Sequence, residues 1–438
     1  MKTYIVSGML GLACLFANTA QAQFSVDGQL VQRAEYRHGY GKLISENDEA
    51  AAFIGQRARL NAQYKMDKFS FYVSVQDVRT WGSAPQIKAT DPYLSVHEAW
   101  AETRLGDHFS LKLGRQELNY DNARFLGNLD WALQGRAHDF ALAKWEKDNM
   151  KLHFGAGYNQ DAEKLSGRLF TTPNQYKTAQ FVRFENGRGN FSYSALFWNN
   201  GRQYVVTDDL NQVVDEGIRY MQTLGLPTLK YQLKNTIISG FYYQQLGKDV
   251  AGRKVRAFDA SAQVSHALDL NPDKGRKLRL TAGVEFLSGT DNNSSDNINR
   301  SFAPLYGTNH AHNGYMDQFF VGGRHDNTVG LQDLFLRVRY DVNNKLFTSL
   351  NGHSFSAFAD VYNEQVKSDS GLGYELDFSL GYLINDAVSL QSGYSQLFAS
   401  DTFKMLQGVQ NPDRNQNWAY LMMIYRPTMK NKFIGLLF

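Results

Sequence analysis

An all-β transmembrane barrel is the fold class that this 438-residue sequence predicts, and three observations carry the prediction. Segment after segment alternates apolar and polar residues with a period of two, the repeat of a strand and not of a helix. The composition is 13% aromatic, with 37 glycines and only 8 prolines, a mixture suited to many strands and tight turns. Mean hydropathy is −0.44, and beyond the N-terminus no apolar run approaches the ~18 residues that a spanning helix requires. A helical membrane protein is thereby excluded. A hydrophobic share of 43% also excludes disorder over most of the chain, and a net charge of +3 gives no ground for a nucleic-acid partner.

Residues 1–22 read as a secretory signal peptide that is removed. Lys2 supplies the positive start, Tyr4 to Phe16 a short apolar core, and Ala20-Gln21-Ala22 a small-x-small cleavage site. The single cysteine, Cys14, lies in that core, where Gly11 stands in place of the leucine a lipoprotein signal prefers. The mature chain, residues 23–438, then has no cysteine and has to be held without cross-links.

The strands follow in order. In Phe24 to Arg37 the even positions are mostly apolar and the odd ones carry Asp27, Arg33, Glu35 and Arg37. In Gln56 to Lys65, Ala58, Leu60, Ala62 and Tyr64 alternate with Arg57, Arg59, Asn61, Gln63 and Lys65. The pattern returns with Leu278 to Phe286, with Leu334 to Tyr340, which interleaves Arg337 and Arg339, and with Tyr374 to Tyr382, which interleaves Glu375 and Asp377. Soluble sandwiches alternate too. Here the segments are long and numerous, aromatics recur at their ends as an interfacial belt requires, and turns such as Gly106-Asp107 and Asp341-Val342-Asn343-Asn344 separate them. A bilayer admits only a closed sheet, because an open edge leaves backbone groups without partners. Dividing the mature chain by about 23 residues per strand and connection gives about 18 strands, with 16 as the near alternative. No linker or plug-like block precedes the first strand, so one outer-membrane barrel is expected to occupy residues 23–438. Its lumen is too wide for strand side chains alone to fill, so it either conducts or is obstructed by loops.

Residues 93–139 contain LGRQ, then a Tyr-Asp pair, a Leu-Asp-Trp segment and a nearby arginine, and in this they resemble the alginate-export family of outer-membrane barrels. A second stretch, FAPLYGTNHAHNGYMDQFF over Phe302 to Phe320, resembles Bacteroidetes-type members of that family. The resemblance spans essentially the mature chain. It implies a barrel of about 18 strands in the outer membrane, with a narrow charged pore through which an anionic oligosaccharide or polysaccharide passes, in contact with outer-membrane lipid and with periplasmic export partners. The family label does not by itself establish alginate as the cargo.

Arginine suits such a cargo because its planar guanidinium grips a carboxylate bidentately and keeps its proton. Lumen candidates are Arg57, Arg59, Arg337 and Arg339, with Arg79, Arg115, Arg124 and Arg136 near the first signature. Basic and acidic residues are nearly balanced on the inward faces. That balance fits a transverse field between opposed walls, or ion pairs bracing a wide barrel, at least as well as a strongly positive pore. For the arginines of the first signature and for Arg57 and Arg59, the bracing alternative names Asp121, Asp130 or Asp139 as partners. Asn309 to Asn313, with His310 and His312, reads as a hydrogen-bonded loop and not as a metal site; Ser288 to Asn299 and Asp208 to Glu216 read as solvated loops. No cofactor and no metal are expected. A general or substrate-selective diffusion porin for small solutes is the alternative function. A barrel lipase or protease is weaker, since no nucleophile comes with a recognisable motif, and the chain is not expected to be an enzyme. Nothing in the residues encodes the cargo itself, export against uptake, the gating loop or the oligomeric state.

Overall fold

The computed structural model describes residues 23–87, 90–319 and 328–436, so the signal-peptide reading and Phe320 of the second signature lie outside the described residues. Eighteen strands form the wall: β1 (Gln23–His38), β2 (Ala51–Lys65), β3 (Phe69–Thr80), β4 (Leu94–Arg104), β5 (Phe109–Gln116), β6 (His138–Lys147), β7 (Met150–Tyr158), β8 (Thr178–Arg188) and β9 (Phe191–Thr207) make one half. The other half is β10 (Val213–Leu233), β11 (Thr236–Lys248), β12 (Lys254–Asn271), β13 (Arg276–Leu287), β14 (Leu331–Asp341), β15 (Leu346–Ser356), β16 (Gly371–Asn385), β17 (Val388–Ala399) and β18 (Gln416–Tyr425). Each strand pairs antiparallel with the next, as in β1 with β2 from Gln23 opposite Lys65 to Arg37 opposite Ala51. The sheet closes where β18 pairs with β1, from Leu30 opposite Tyr425 to His38 opposite Asn417. Closure satisfies every strand edge inside the membrane, the condition the bilayer sets. Among the described residues no helix is long and apolar enough to cross a membrane; α1 (Asp401–Gln407) is a short loop helix capped by Ser400.

The pleat sorts the side chains as the alternation requires. On β2 the buried inward residues are Arg57, Arg59 and Asn61, while Leu60 stands exposed on the outside. On β16 Glu375, Asp377 and Ser379 face in, and Tyr374, Leu376 and Phe378 face out. The exposed outer band of Leu, Val and Phe is the surface that lipid wets; in water the same area would cost about 25 cal/mol per Å². Aromatics mark both rims, with Phe71, Phe109, Phe191, Tyr231 and Tyr382 exposed near one end and Tyr36, Tyr158, Tyr374 and Phe398 near the other.

Connections at the first rim are tight, such as 66–68, 148–149, 189–190, 234–235 and 386–387, and those at the other are long, such as 39–50, 117–137, 159–177, 288–330 and 400–415. Bacterial barrels keep short turns on the periplasmic side and long loops outside. One expected loop is shorter than the sequence suggested. The strands run through Thr207 and resume at Val213, so Asp215 and Glu216 pair with Val206 and Val205 instead of lying in a turn. Pro227 sits where β10 shifts register against both neighbours, between Gly225 and Thr228, a bulge that tolerates its missing N–H.

Candidate functional site

Among the described residues three segments enter the lumen and decide what space is left. Loop 117–137 and the stretch 301–319 descend from the long-loop mouth, and residues 426–436, after β18, rise from the short-turn mouth. An aromatic core fastens the two loops: Trp198 of β9 is fully buried against Tyr306, at 5.3 Å between ring centroids, and against Phe125 at 6.2 Å. The Tyr306 hydroxyl donates to Asn200 Oδ1 at 2.6 Å. Rings of this size bury ~150–250 Å² each and dominate such contacts.

Charge completes the anchoring. Arg124, at the tip of loop 117–137 and fully buried, donates to Asp259 of β12 at 3.1 Å and lies 2.7 Å from Glu285 of β13. Burial alone would weaken its proton affinity, but Glu285 and Asp259 outweigh it and hold the guanidinium firmly charged. Arg124 also donates to Asn313 Oδ1 at 2.9 Å, and the Asn313 amide donates to Glu285 at 2.8 Å and Asp333 at 3.2 Å. The Met316 N–H donates to Glu375 at 2.8 Å. Gly314, at φ +84°, lets the backbone approach so closely that a Cβ would stand 2.5 Å from the Glu375 carboxylate. The His310–Asn313 segment is thus a hydrogen-bonded loop as expected, with His310 2.9 Å from Asp317. Burial, then Arg124 and Arg337, push His312 well below the usual histidine range, so it adds no positive charge.

The eight arginines singled out from the sequence fall into three groups. Arg57 is buried and donates to Asp130 at 2.8 Å, to the Leu133 carbonyl at 3.1 Å and to Gln29 at 3.0 Å. Arg59 donates to Gln76 at 2.7 Å and stands 3.9 Å from Glu117. With Arg124 they bind loop 117–137 to the wall, and Arg136 ties that loop to the second one. Arg136 holds the carbonyls of Gly307 at 2.9 Å and Gly127 at 3.4 Å, and burial pushes it down to about 10. Arg79 and Arg115 require a correction, because both point away from the lumen. Gln56 faces Arg79, and Ala99 and Asp139 face Arg115, all on the outer side of the pleat. There Arg79 meets Asp77 and lies 2.7 Å from Asp91, and Arg115 lies 3.0 Å from Asp139. Only Arg337 and Arg339 border open space. Ion-pair bracing is therefore what Arg57, Arg79, Arg115 and Arg124 do, although Arg124 takes Asp259 and Glu285 instead of the nearby Asp121, which Arg183 holds at 2.7 Å.

That open space is a chamber of about 620 Å³ in the short-turn half of the lumen, bounded by β8–β15 and roofed by Asp121, Asn122 and His312 of the two loops. Its wall mixes Ser, Thr, Gln and Asn with apolar residues such as Leu229, Ile237 and Phe241, and Arg279, Arg337 and Arg339 project into it from β13 and β14. Arg279 faces Arg339 directly across the pair. The Arg337 guanidinium stacks on Phe335 at 4.2 Å, and Arg339 stacks on Phe347 at 3.9 Å while donating to Asp341 at 2.8 Å. Stacking fixes the plane and leaves N–H edges toward the cavity. The facing acids are already engaged: Asp121 with Arg183, Glu185 with Lys151 and Arg183, and Glu285 with Arg124. Arg279 and Arg337 form no ion pair among the described residues. Arg279 was missed as a site residue, although its place in the alternation of β13 marked it as inward. Elsewhere a register shift on β4 turns consecutive His97 and Glu98 to one side, next to Glu117, and His97 lies 2.8 Å from Glu117.

The sequence model of the alginate-export family matches residues 23–417. The chain belongs to that family. No curated protein matches it. Among solved structures, the outer-membrane protein OpdK of Pseudomonas aeruginosa aligns over 92% of this chain and 98% of its own, with 11% identity and a TM-score of 0.55. OccK9 (OpdG) of the same organism aligns over the same shares, with 12% identity and a TM-score of 0.57, and OpdK has also been solved with vanillate. At such identities the likeness shows the fold alone. The family and the closed 18-strand wall make the protein an outer-membrane channel. For a channel, outward pairs matter little: Arg115→Ala is expected to leave ion selectivity unchanged and to cost ~0–1 kcal/mol, which reversal potentials and thermal melts will check.

Proposed function

We propose that this alginate-export-family channel passes anionic sugars, an acidic oligosaccharide or polysaccharide chain, through its lumen, and that it acts without catalysis. The observation that carries the reading is the chamber wall of Arg279, Arg337 and Arg339, where Asp341 pairs with Arg339 while the charges of Arg279 and Arg337 are in excess because the acids opposite are bound to other cations. Stacked guanidinium groups present forks that match carboxylates, and the surrounding Ser, Gln and Asn suit sugar hydroxyls. The basic wall on β13 and β14 faces Asp121 and Glu185, which Arg183 and Lys151 already neutralise, and this favours a cargo carrying both carboxylates and neutral hydroxyl faces. Because the chamber lies in the short-turn half, a polymer would meet it on the periplasmic side, where export partners would deliver it.

The test is the triple variant Arg279→Ala, Arg337→Ala, Arg339→Ala in planar bilayers. Reversal potentials in a salt gradient are expected to move away from anions, and half-block by oligouronates is expected to need at least about tenfold more ligand, the loss of one or more charged hydrogen bonds. If selectivity stays unchanged, and neutral oligosaccharides of equal length block as well as oligouronates, the channel is a general diffusion porin for small solutes.

A further inference from the structure

Residues 426–436 leave the last strand at the short-turn rim and turn back into the barrel. The Arg426 N–H donates to the Ala387 carbonyl at 2.8 Å, and its buried guanidinium donates to Gln29 at 2.9 Å and to Asp130 at 2.6 Å. The Ser389 hydroxyl donates to the Lys432 carbonyl at 2.5 Å. Two residues on, Gln391 clamps Ile434 from both sides, donating to its carbonyl at 2.8 Å and accepting its N–H at 3.0 Å. Contacts thus advance from Ser389 to Gln391 as the segment advances from 432 to 434, so it climbs away from the rim. At its top Gly435, at φ +73°, lies so close to Trp131 that a Cβ would stand 2.3 Å from the indole. Trp131 belongs to the loop that descends from the opposite mouth. Two insertions from opposite ends therefore meet at Asp130 and Trp131, beside β1, β2, β17 and β18.

The wall behind this segment is polar along β1, β16 and β17 and apolar along β18. Gln29, Ser379, Ser389 and Gln391 are buried polar side chains there, Met422 and Ile424 of β18 lie beside Gln391 and Ser389 as buried apolar ones, and the segment itself contributes Ile434. A permanent core would favour apolar groups on both sides. The polar side chains of β1, β16 and β17, in contrast, are rewetted at small cost when their cover leaves. The cover is held by a few side-chain to backbone bonds and one ion pair, not by a strand ladder.

We propose that residues 426–436 are an internal plug that closes a second passage along β1, β2, β17 and β18, separate from the arginine-lined chamber, and that the plug's release from Gln391 and Trp131 opens it. The proposal stands on the channel fold and does not depend on which solute the chamber takes.

Residues 23–438 have no cysteine, so Ser389→Cys with Lys432→Cys gives one reversible cross-link within the barrel at the point where the two residues meet. With the link closed, single-channel recordings are expected to stay in the low-conductance state, and reductant is expected to restore transitions to a state severalfold larger. A second variant that stops after Arg426, and so keeps the Asp130 pair, is expected to occupy the larger state throughout. Identical records in oxidised and reduced cross-linked protein would overturn the proposal, as would unchanged conductance in a truncated variant that folds by heat-modifiable migration. The readout is conductance and not selectivity, so a channel indifferent to anions would still decide the matter.

Discussion

Arg124→Met is expected to free both inward loops and to raise single-channel conductance well above the native level. The guanidinium is fully buried and is the cation next to Asp259 and Glu285, while Asn313 joins it to the second loop. Without it, two buried carboxylates lose their counter-charge, a loss worth roughly 3–5 kcal/mol when one member of a buried pair is removed. Taking up protons would relieve the repulsion but would not restore a donor toward Asn313. The wall itself should survive, because its backbone ladder does not pass through Arg124. Arg124→Lys is expected to recover little, since a point charge cannot fork between Asp259 and Asn313. The measurements are conductance and a thermal melt followed by tryptophan fluorescence, which reports Trp131 and Trp198 where the loops pack. Native conductance together with a native melt would show that aromatic packing alone holds the loops.

The wall was legible in the sequence and the filled lumen was not, for a reason visible in particular strands. Alternation is decided by a bilayer outside and water or polar groups inside, so Phe24 to Arg37 or Tyr374 to Tyr382 reveal both faces at once. Where a loop packs against the inner face, that face turns apolar as well and the alternation fades. On β18 the inward residues are Trp418, Tyr420, Met422 and Ile424, all buried, while Leu421 is exposed outward. On β9 Leu196 and Trp198 face in while Phe197 faces out. These unbroken apolar runs were the available signal for an internal plug. Treating them as ordinary strands hid the loops. The arginines misled for a related reason: Arg79 and Arg115 lie in or beside a familiar segment, yet their side is set by the pleat. On β5 the inward parity belongs to Lys112 and Gln116, so Arg115 has to face out.

Asp130→Asn is expected to loosen the meeting point of loop and tail by roughly 3 kcal/mol, the low end for a broken buried pair because the carboxylate retains some contact with water. The native carboxylate is shared: one oxygen lies 2.8 Å from Arg57 and the other 2.6 Å from Arg426, and both guanidinium groups are buried. An amide can accept through one oxygen only, so one cation is left facing an N–H₂ group. Arg57→Met combined with Asp130→Asn should cost less than the sum of the two single changes, since the pair is lost only once. The pH dependence has a definite sign. Burial by itself would raise the Asp130 carboxyl, but Arg57 and then Arg426 pull it below the usual carboxylate range. A carboxylate depressed in the folded state contributes its full stabilisation above its unfolded value of about 3.9, and loses it only as pH falls through the lower folded value. Closed-state conductance is therefore expected to be constant from pH 8 to about pH 5 in the native protein, with release only in stronger acid. The Asn variant should be more open across that range and equally flat in pH. An opening midpoint near pH 6 to 7 in native channels would mean that a histidine, and not this carboxylate, holds the two insertions together.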